Sequence, residues 1–320
     1  MLACDETSKQ KTAHVPRTRT GTAAWTHHVR AAAVFVFIVV NLSFWICPLM
    51  VLVLLKWLLP FSRVRQVIRR WMSWVYQSAV WCHDRVFFGL MGIRLEAEGL
   101  AEAYPGEFYL VTANHLSWSD IFLLQHLLNR RAPVMKFLVK RELIYLPLVG
   151  LICWAYDYPF LRRRSLRAEN GAAGRKNDDT DNLSKALKRF MRSKASIVSF
   201  TEGTRYSASK AKKQSSPYRH LLKPKAGGLT AIFDMLGSRL EAVVDVTIVY
   251  DDPCPSFWRF IGGRIRRIKI RVETIPFNNV FKPEDLEQGR VAHAAVADWI
   301  NRRWVEKDRK ISRMLKQLTP

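Results

Sequence analysis

Apolar positions along the chain fall into three regimes. From Ala31 to Leu55 the run AAAVFVFIVVNLSFWICPLMVLVLL carries no charged residue, and its length exceeds the roughly 20 apolar residues that carry a helix across a bilayer core. After Arg63 the pattern changes: Val64, Val67, Ile68, Trp71, Trp74, Val75, Ser78 and Cys82 recur at helical spacing, while Arg63, Arg69, Arg70 and Gln77 fall largely elsewhere. That predicts an amphipathic helix. Beyond residue 92 short apolar runs alternate with amphipathic stretches. FYLVTAN at 108, MKFLV at 135, SIVSF at 196, VVDVTIVY at 243 and IKIRVETI at 268 predict strands, and 119–129, 181–193, 227–237 and 290–310 predict helices. The alternation predicts one α/β domain with a mixed sheet flanked by helices, preceded by membrane-anchoring helices.

Four regions follow. Residues 1–30, polar and with Lys9, Lys11, Arg17, Arg19 and Arg30, read as a disordered basic tail; 31–60 as a hydrophobic membrane segment; 61–92 as an interfacial helix; 93–320 as the α/β domain. A cleaved signal peptide does not suit the long run, which lacks a small-residue cleavage site and runs straight into Lys56. Basic residues flank the run on both sides, so charge does not set its orientation. A break at Pro48, giving two half-length helices that dip into one leaflet, and a single span both remain open. For 61–92, a helix packed on the domain with a basic outer face competes with the interfacial reading.

The formal net charge of +24 requires an anionic partner: nucleic acid, lipid head groups or phosphorylated substrates. From Leu161 to Lys225 there are 18 Lys or Arg against 5 Asp or Glu, and two polar stretches there, from 162 and from 207, read as loops bordering a site. Aromatic residues are not interleaved with this basic run and no nucleic-acid motif appears, which sets a membrane-anchored nucleic-acid adaptor behind an enzyme. The scattered cysteines (Cys4, Cys47, Cys82, Cys153, Cys254) form no metal set and read as reduced thiols. One histidine with scattered carboxylates is likewise a poor layout for metal-assisted phosphoester hydrolysis.

The stretch FYLVTANHLSWSDIFLL reads as a strand, a sharp connection and a helix capped by Ser117 or Ser119. His115 then stands at the strand's end and Asp120 in the helix's first turn, pointing back. Such a pair permits a carboxylate–imidazole hydrogen bond that fixes the tautomer and leaves the other ring nitrogen free to take a proton. Alone, H-x-x-x-x-D is a common coincidence. Downstream, FTEGTR (200–205) puts a carboxylate, a glycine and a cation at a strand-to-loop junction: Gly203 admits close backbone approach and Arg205 can grip a phosphate.

Together these blocks resemble the lysophospholipid acyltransferase family, which includes 1-acyl-glycerol-3-phosphate acyltransferases. The N-H-x4-D block is NHLSWSD, the E-G-T-R block is FTEGTR, and KRELIYLPLVGLICWAYDYPFLRR (140–163), LLKPKAGGL (221–229) and DVTIVY (245–250) look like further family segments. The likeness covers about residues 90–255, and the wording CWAYDYPFLRR is closest to bacterial inner-membrane members. The resemblance implies transfer of a fatty acyl group from acyl-CoA or acyl carrier protein, as co-substrate, to the hydroxyl of a lysophospholipid, with no cofactor and no metal. It implies His115 as general base and Asp120 as its support. Arg205, Arg163 and Lys225 are implied for the acceptor phosphate, and Glu202 for orienting Arg205 or binding a glycerol hydroxyl. Asn114, Gly203 and Thr204 complete the substrate-binding set. Of the adjacent Arg162, Arg163 and Arg164, Arg163 is chosen by its distance from Phe160. Trp118 either packs the His–Asp turn or faces the acyl chain, packing being the expectation. Lysophospholipid, acyl thioester and membrane lipids are the implied partners, acyl carrier protein among the donors, and nucleic acid is not one. The implied location is a bacterial inner membrane with the domain on the cytoplasmic side.

Overall fold

In the computed structural model the described residues are 21–161, 194–281, 286–287 and 290–318. The strands are β1 (Arg94–Glu98), β2 (Phe108–Ala113), β3 (Met135–Phe137), β4 (Val139–Lys140), β5 (Phe160–Leu161), β6 (Ala195–Phe200), β7 (Leu240–Tyr250), β8 (Arg267–Pro276), β9 (Leu286–Glu287) and β10 (Arg290–Val291). Six of them form the main sheet in the order β1-β8-β7-β2-β6-β3. Only β7 and β8 pair antiparallel; the other neighbours are parallel. β2, β6 and β7 are central and buried, so they read as near-continuous apolar runs. β1 was not expected. It is a mostly exposed edge strand whose Glu96 and Glu98 face Lys269 and Arg271 across 3.2 and 3.1 Å, so charge alternation rather than an apolar run marks it. MKFLV also divides, β3 joining the main sheet and β4 pairing with β5.

The helices are α1 (Gly21–Leu58), α2 (Ser62–Asp84), α3 (Ser119–Leu128), α4 (Pro147–Ala155), α5 (Ala208–Lys213), α6 (Ala226–Leu236), α7 (Phe257–Ile261) and α8 (His293–Leu318). α3 and α6 lie where periodicity put them. α8 runs on to Leu318 because its buried stripe, Val296, Ile300, Trp304, Lys307, Ile311, Met314 and Leu318, keeps a helical spacing past residue 310. α5 falls inside a stretch read as a loop, and the predicted helix 181–193 lies outside the described residues. Alternate positions of β2 face opposite cores. Val111 and Ala113 join the α1–α4 side, whereas Phe108 and Leu110 meet α6 and α8. Each fully buried large side chain, such as Phe233 or Phe260, contributes about 1.5–3 kcal/mol.

α8 is fastened to the sheet by charge. The fully buried Lys307 places its Nζ 2.6 Å from Asp245 Oδ1 and donates to Val246 O at 2.7 Å. Arg303 holds the other carboxylate oxygen of Asp245 at 2.9 Å, and Thr112 of β2 donates to Oδ1 at 2.8 Å. Cys47, Cys82 and Cys153 are free thiols, whereas Cys254 is disulfide-bonded, a departure from the all-reduced reading.

α1 passes through Pro48 as one helix of 38 residues, about 57 Å long, and begins ten residues before the uncharged run. It is the one helix among the described residues long and apolar enough to cross a membrane. It lies along the domain: His27 Nδ1 meets Gly262 O at 3.0 Å near one end, and Lys56 pairs with Asp157 at 3.5 Å near the other. Asn41, set in the apolar run, donates to Ala79 O at 3.1 Å and lies 3.0 Å from His83 Nε2 on α2. Ala31, Val34, Ile38 and Leu49 face inward, while Val36, Val40, Phe44 and Val51 stay exposed. On α2 the buried face is Ile68, Met72, Val75, Tyr76, Val80 and His83, and Trp71 and Trp74 are 54% and 51% exposed. The helix therefore packs on the domain, and its outer face is aromatic as well as basic. The single apolar stripe read from sequence is two stripes, one inward and one outward.

Candidate active site

The strand-to-helix connection after β2 sets the first half of the site. Asp120, in the first turn of α3, folds back so that Oδ2 accepts hydrogen bonds from the backbone N–H of Leu116 (2.7 Å) and Ser117 (2.9 Å) and lies 2.8 Å from His115 Nδ1. A carboxylate in that position accepts, so Nδ1 carries the proton and Nε2 presents its lone pair. Asp120 is fully buried, and His115 keeps 13% of its side chain exposed. Neither serine caps α3 through its side chain: the N-cap is Trp118 and Ser117 Oγ accepts from Ser119 instead, at 3.3 Å from N and 2.7 Å from Oγ. The turn is closed by the carboxylate.

Asp120 has a partner that the sequence reading missed. Tyr250, at the end of β7, donates its hydroxyl to Oδ1 at 2.5 Å, and Ser119 Oγ lies 3.1 Å from the same phenol oxygen. Burial first, and then the adjacent Asp120 charge, push the Tyr250 phenol far above its ordinary value. It therefore stays a donor at every working pH. A signal existed: Val246, Ile248 and Tyr250 alternate onto the core face shared with Val111 and Ala113. Phe200, which ends β6 opposite Ala113, stacks on the His115 ring at 4.0 Å and 14°. Asn114 binds backbone, donating to Ile248 O and accepting from Ile248 N, both at 2.9 Å, and so locks the end of β2 to β7.

The FTEGTR turn docks on this connection. Tyr206 N donates to His115 O at 2.8 Å, and the Arg205 guanidinium lies over the Trp118 ring at 5.5 Å. Trp118 is 40% exposed, so it serves as a surface platform for Arg205 and does not fill the interior of the turn as expected. Gly203 has φ +68, where a side chain is disfavoured, and the Lys225 Nζ lies 3.3 Å from the position a Cβ would take. Lys210 Nζ donates to Thr204 Oγ1 and to Arg205 O, each at 2.9 Å, fixing the turn below the two cations.

Glu202 differs from its expected role. It is fully buried and accepts from Leu222 N at 3.2 Å, with no hydrogen bond to Arg205 among the described residues. Its Oε1 has no hydrogen-bond partner among the described residues. Burial pushes its carboxyl up to about 8, against the pull of the nearby Leu222 and His115 backbone N–H groups and of Lys307. At neutral pH it is mostly an uncharged acid bracing the two motif segments. Arg163 lies outside the described residues. His115, Asp120, Thr204, Arg205 and Lys225 thus gather around the ends of β2 and β6, with Gly203 in the turn and Asn114 and Glu202 beneath.

Residues 94–251 match the family model described as Acyltransferase. An uncharacterised acyltransferase of Schizosaccharomyces pombe is 25% identical over 69% of this chain and 64% of its own length. The 1-acyl-sn-glycerol-3-phosphate acyltransferase 3 of Arabidopsis thaliana is 24% identical over 89% of this chain and 76% of that protein. The epsilon form from Mus musculus is 26% identical over 63% and 57%. The chain thus spans less than two thirds of the yeast and mouse relatives. Among solved structures, the crystal structure of the 1-acyl-sn-glycerophosphate acyltransferase PlsC from Thermotoga maritima superposes with a TM-score of 0.54 at 14% identity, covering 89% of this chain and 98% of that one. It shares the fold.

Proposed function

The chain belongs to the acyltransferase family, matched over residues 94–251, and from that premise we propose that it transfers a fatty acyl group from a thioester, acyl-CoA or acyl carrier protein, to the free hydroxyl of lysophosphatidate. One observation carries the reading: an imidazole with Nε2 presented, held by a buried carboxylate at 2.8 Å, beside a turn bearing Arg205 and Lys225. A glycerol hydroxyl is too weak an acid to attack unaided, so His115 Nε2 takes its proton as the oxygen adds to the thioester carbonyl. The tetrahedral oxyanion then collapses, the C–S bond breaks, and the imidazolium returns its proton to the departing thiolate. Asp120 stabilises the imidazolium between those steps. Arg205 and Lys225 hold the acceptor phosphate, each charge-assisted hydrogen bond contributing about 1.5–3 kcal/mol.

Membrane attachment supplies the lipid substrates. The outward faces of α1 and α2, with exposed Phe44, Val51, Trp57, Trp71 and Trp74, and the exposed Trp154 of α4 present an apolar surface beside the basic Arg63, Arg65 and Arg70. Because α1 is held along the domain, the contact is lateral, with the helix lying against the bilayer. A bacterial inner membrane, with the domain cytoplasmic, is the location that fits the wording of residues 153–163.

Membranes containing the protein are expected to convert lysophosphatidate and acyl-CoA, or acyl carrier protein thioester, into phosphatidate. His115→Ala lowers turnover by about three orders of magnitude or more while expression and membrane association hold. Near-normal turnover in that variant removes the general-base assignment. An unchanged KM for lysophosphatidate in Arg205→Ala removes the phosphate role.

A further inference from the structure

Arg259, Arg271 and Arg303 are each held by a carboxylate, at 2.5, 3.1 and 2.9 Å. Arg205 is held by a ring. Among the described residues its guanidinium meets no carboxylate and no hydrogen-bond acceptor, and its contact is the Trp118 indole at 5.5 Å. For an anion site the difference is decisive. A carboxylate partner offsets the charge of the guanidinium and competes with a phosphate for the same N–H donors. An indole attracts the cation through its π face, restrains the side chain, and leaves its charge uncompensated.

The indole is itself anchored in the turn that carries the base. Trp118 is the N-cap of α3, and its neighbours are tied down: Ser117 N donates to Asp120 Oδ2 at 2.9 Å, and Ser119 Oγ donates to Ser117 Oγ at 2.7 Å. The backbone around Arg205 is fixed to the same turn from the other side. Tyr206 N donates to His115 O at 2.8 Å, and Lys210 Nζ donates to Arg205 O at 2.9 Å. Residues 115–118 therefore bear both the base and, three residues on, the support of the cation. A phosphate gripped by Arg205 is registered against His115 by that short stretch of chain. Because Trp118 is 40% exposed, filling the core does not account for it.

We propose that Trp118 is a positioning residue for the acceptor phosphate: its ring pre-organises Arg205 without neutralising it, and so sets affinity for a phosphate-bearing lysolipid rather than the rate of proton transfer. The inference rests on the acyl-transfer reading for the identity of that acceptor. Pre-organisation acts by reducing the cost of immobilising a long side chain when the ligand arrives. An aliphatic residue of similar bulk covers the same turn but lacks the ring quadrupole that draws the cation. Loss of such a contact corresponds to about two- to thirtyfold in affinity.

The test uses the full-length protein in phosphatidylcholine mixed micelles. Two quantities are measured: the apparent KM for lysophosphatidate at saturating acyl-CoA, and the Kd for lysophosphatidate by calorimetry with no donor present. Trp118→Leu and Trp118→Ala raise both by about fivefold or more, while kcat stays within about twofold. Trp118→Tyr, which keeps a π face, stays within about twofold of the wild type in both. In an Arg205→Ala background Trp118→Leu has no further effect, since the ring then has no cation to hold. A Leu variant that matches the Tyr variant, an effect that persists in the Arg205→Ala background, or a fall in kcat with KM unmoved overturns the proposal, because each marks Trp118 as packing of the turn. The calorimetric arm needs no turnover. A wild type that binds lysophosphatidate with this order of variants but does not acylate it removes the acyl-transfer reading and leaves the role of Trp118 standing, whereas a wild type that does not bind lysophosphatidate overturns that role too.

Discussion

Tyr250 donates its phenolic hydrogen to Asp120 Oδ1 across 2.5 Å, 130 residues away in sequence, while the other oxygen of the same carboxylate faces His115 Nδ1 at 2.8 Å. Both carboxylate oxygens are therefore held, one by β7 and one by the turn it closes. The phenol draws charge toward Oδ1 and fixes the plane in which Oδ2 meets the imidazole. In Tyr250→Phe the carboxylate loses its only hydroxyl donor among the described residues and is free to pivot. A hydrogen bond to a charged group contributes about 1.5–3 kcal/mol, so kcat is expected to fall roughly tenfold or more. KM for the acceptor should hold, since Tyr250 does not approach the cationic turn. A purely structural role for Tyr250 lowers stability and leaves kcat within a few-fold of the wild type.

Glu202 makes a pH prediction whose sign is fixed by its burial. Its carboxyl titrates near 4.5 when exposed and is pushed up to about 8 in the fold. A raised carboxyl stabilises the fold fully below the unfolded value, and that contribution is lost as pH rises toward the folded value. Glu202→Gln keeps a carbonyl acceptor for the Leu222 N–H but cannot ionise, so its relative stability should improve steadily from pH 5 to pH 8. Unfolding midpoints of the two proteins across that range measure it, and a constant difference contradicts an uncharged Glu202. At pH 7 Glu202→Gln should stay within a few-fold of wild-type kcat/KM, whereas Glu202→Ala, which leaves the Leu222 N–H unpaired, falls further.

What the sequence made legible is local. His115 and Asp120 were readable as a pair because a carboxylate in the first turn of a helix points back at the strand end five residues earlier, and no other element is needed. Gly203 was readable for the same reason, as a turn position at φ +68. Tyr250 required knowing that β7 lies beside β2, which periodicity does not encode. Glu202 looked like a partner for Arg205 because they share a motif, but the turn that follows β6 sends it inward to Leu222. On α2 the tryptophans and the aliphatic residues read as a single apolar stripe, although half of them face the domain and half face out. Hydrophobic spacing reports that a residue avoids water, not whether protein or lipid replaces it.

Lys307 supplies a prediction about stability. Its ammonium lies fully buried between Asp245 Oδ1 and Val246 O, at 2.6 and 2.7 Å, and links α8 to the strand next to β2. Burial and the paired carboxylate pull its titration in opposite directions, burial prevailing, while Lys307 and Arg303 hold the Asp245 carboxyl below its ordinary range. Lys307→Met strips one cation from a buried carboxylate, and removal of one partner from such a pair costs about 3–5 kcal/mol. Arg303 still reaches Asp245 Oδ2 at 2.9 Å, so the lower end of that range applies. Pairing Lys307→Met with Asp245→Asn removes the stranded charge, and the double variant should recover at least 1–2 kcal/mol (~) relative to additivity. Urea unfolding of the four proteins in the cycle gives that coupling directly. Simple additivity would mean that Lys307 fills space against Trp304 and that its charge is not what holds α8 to the sheet.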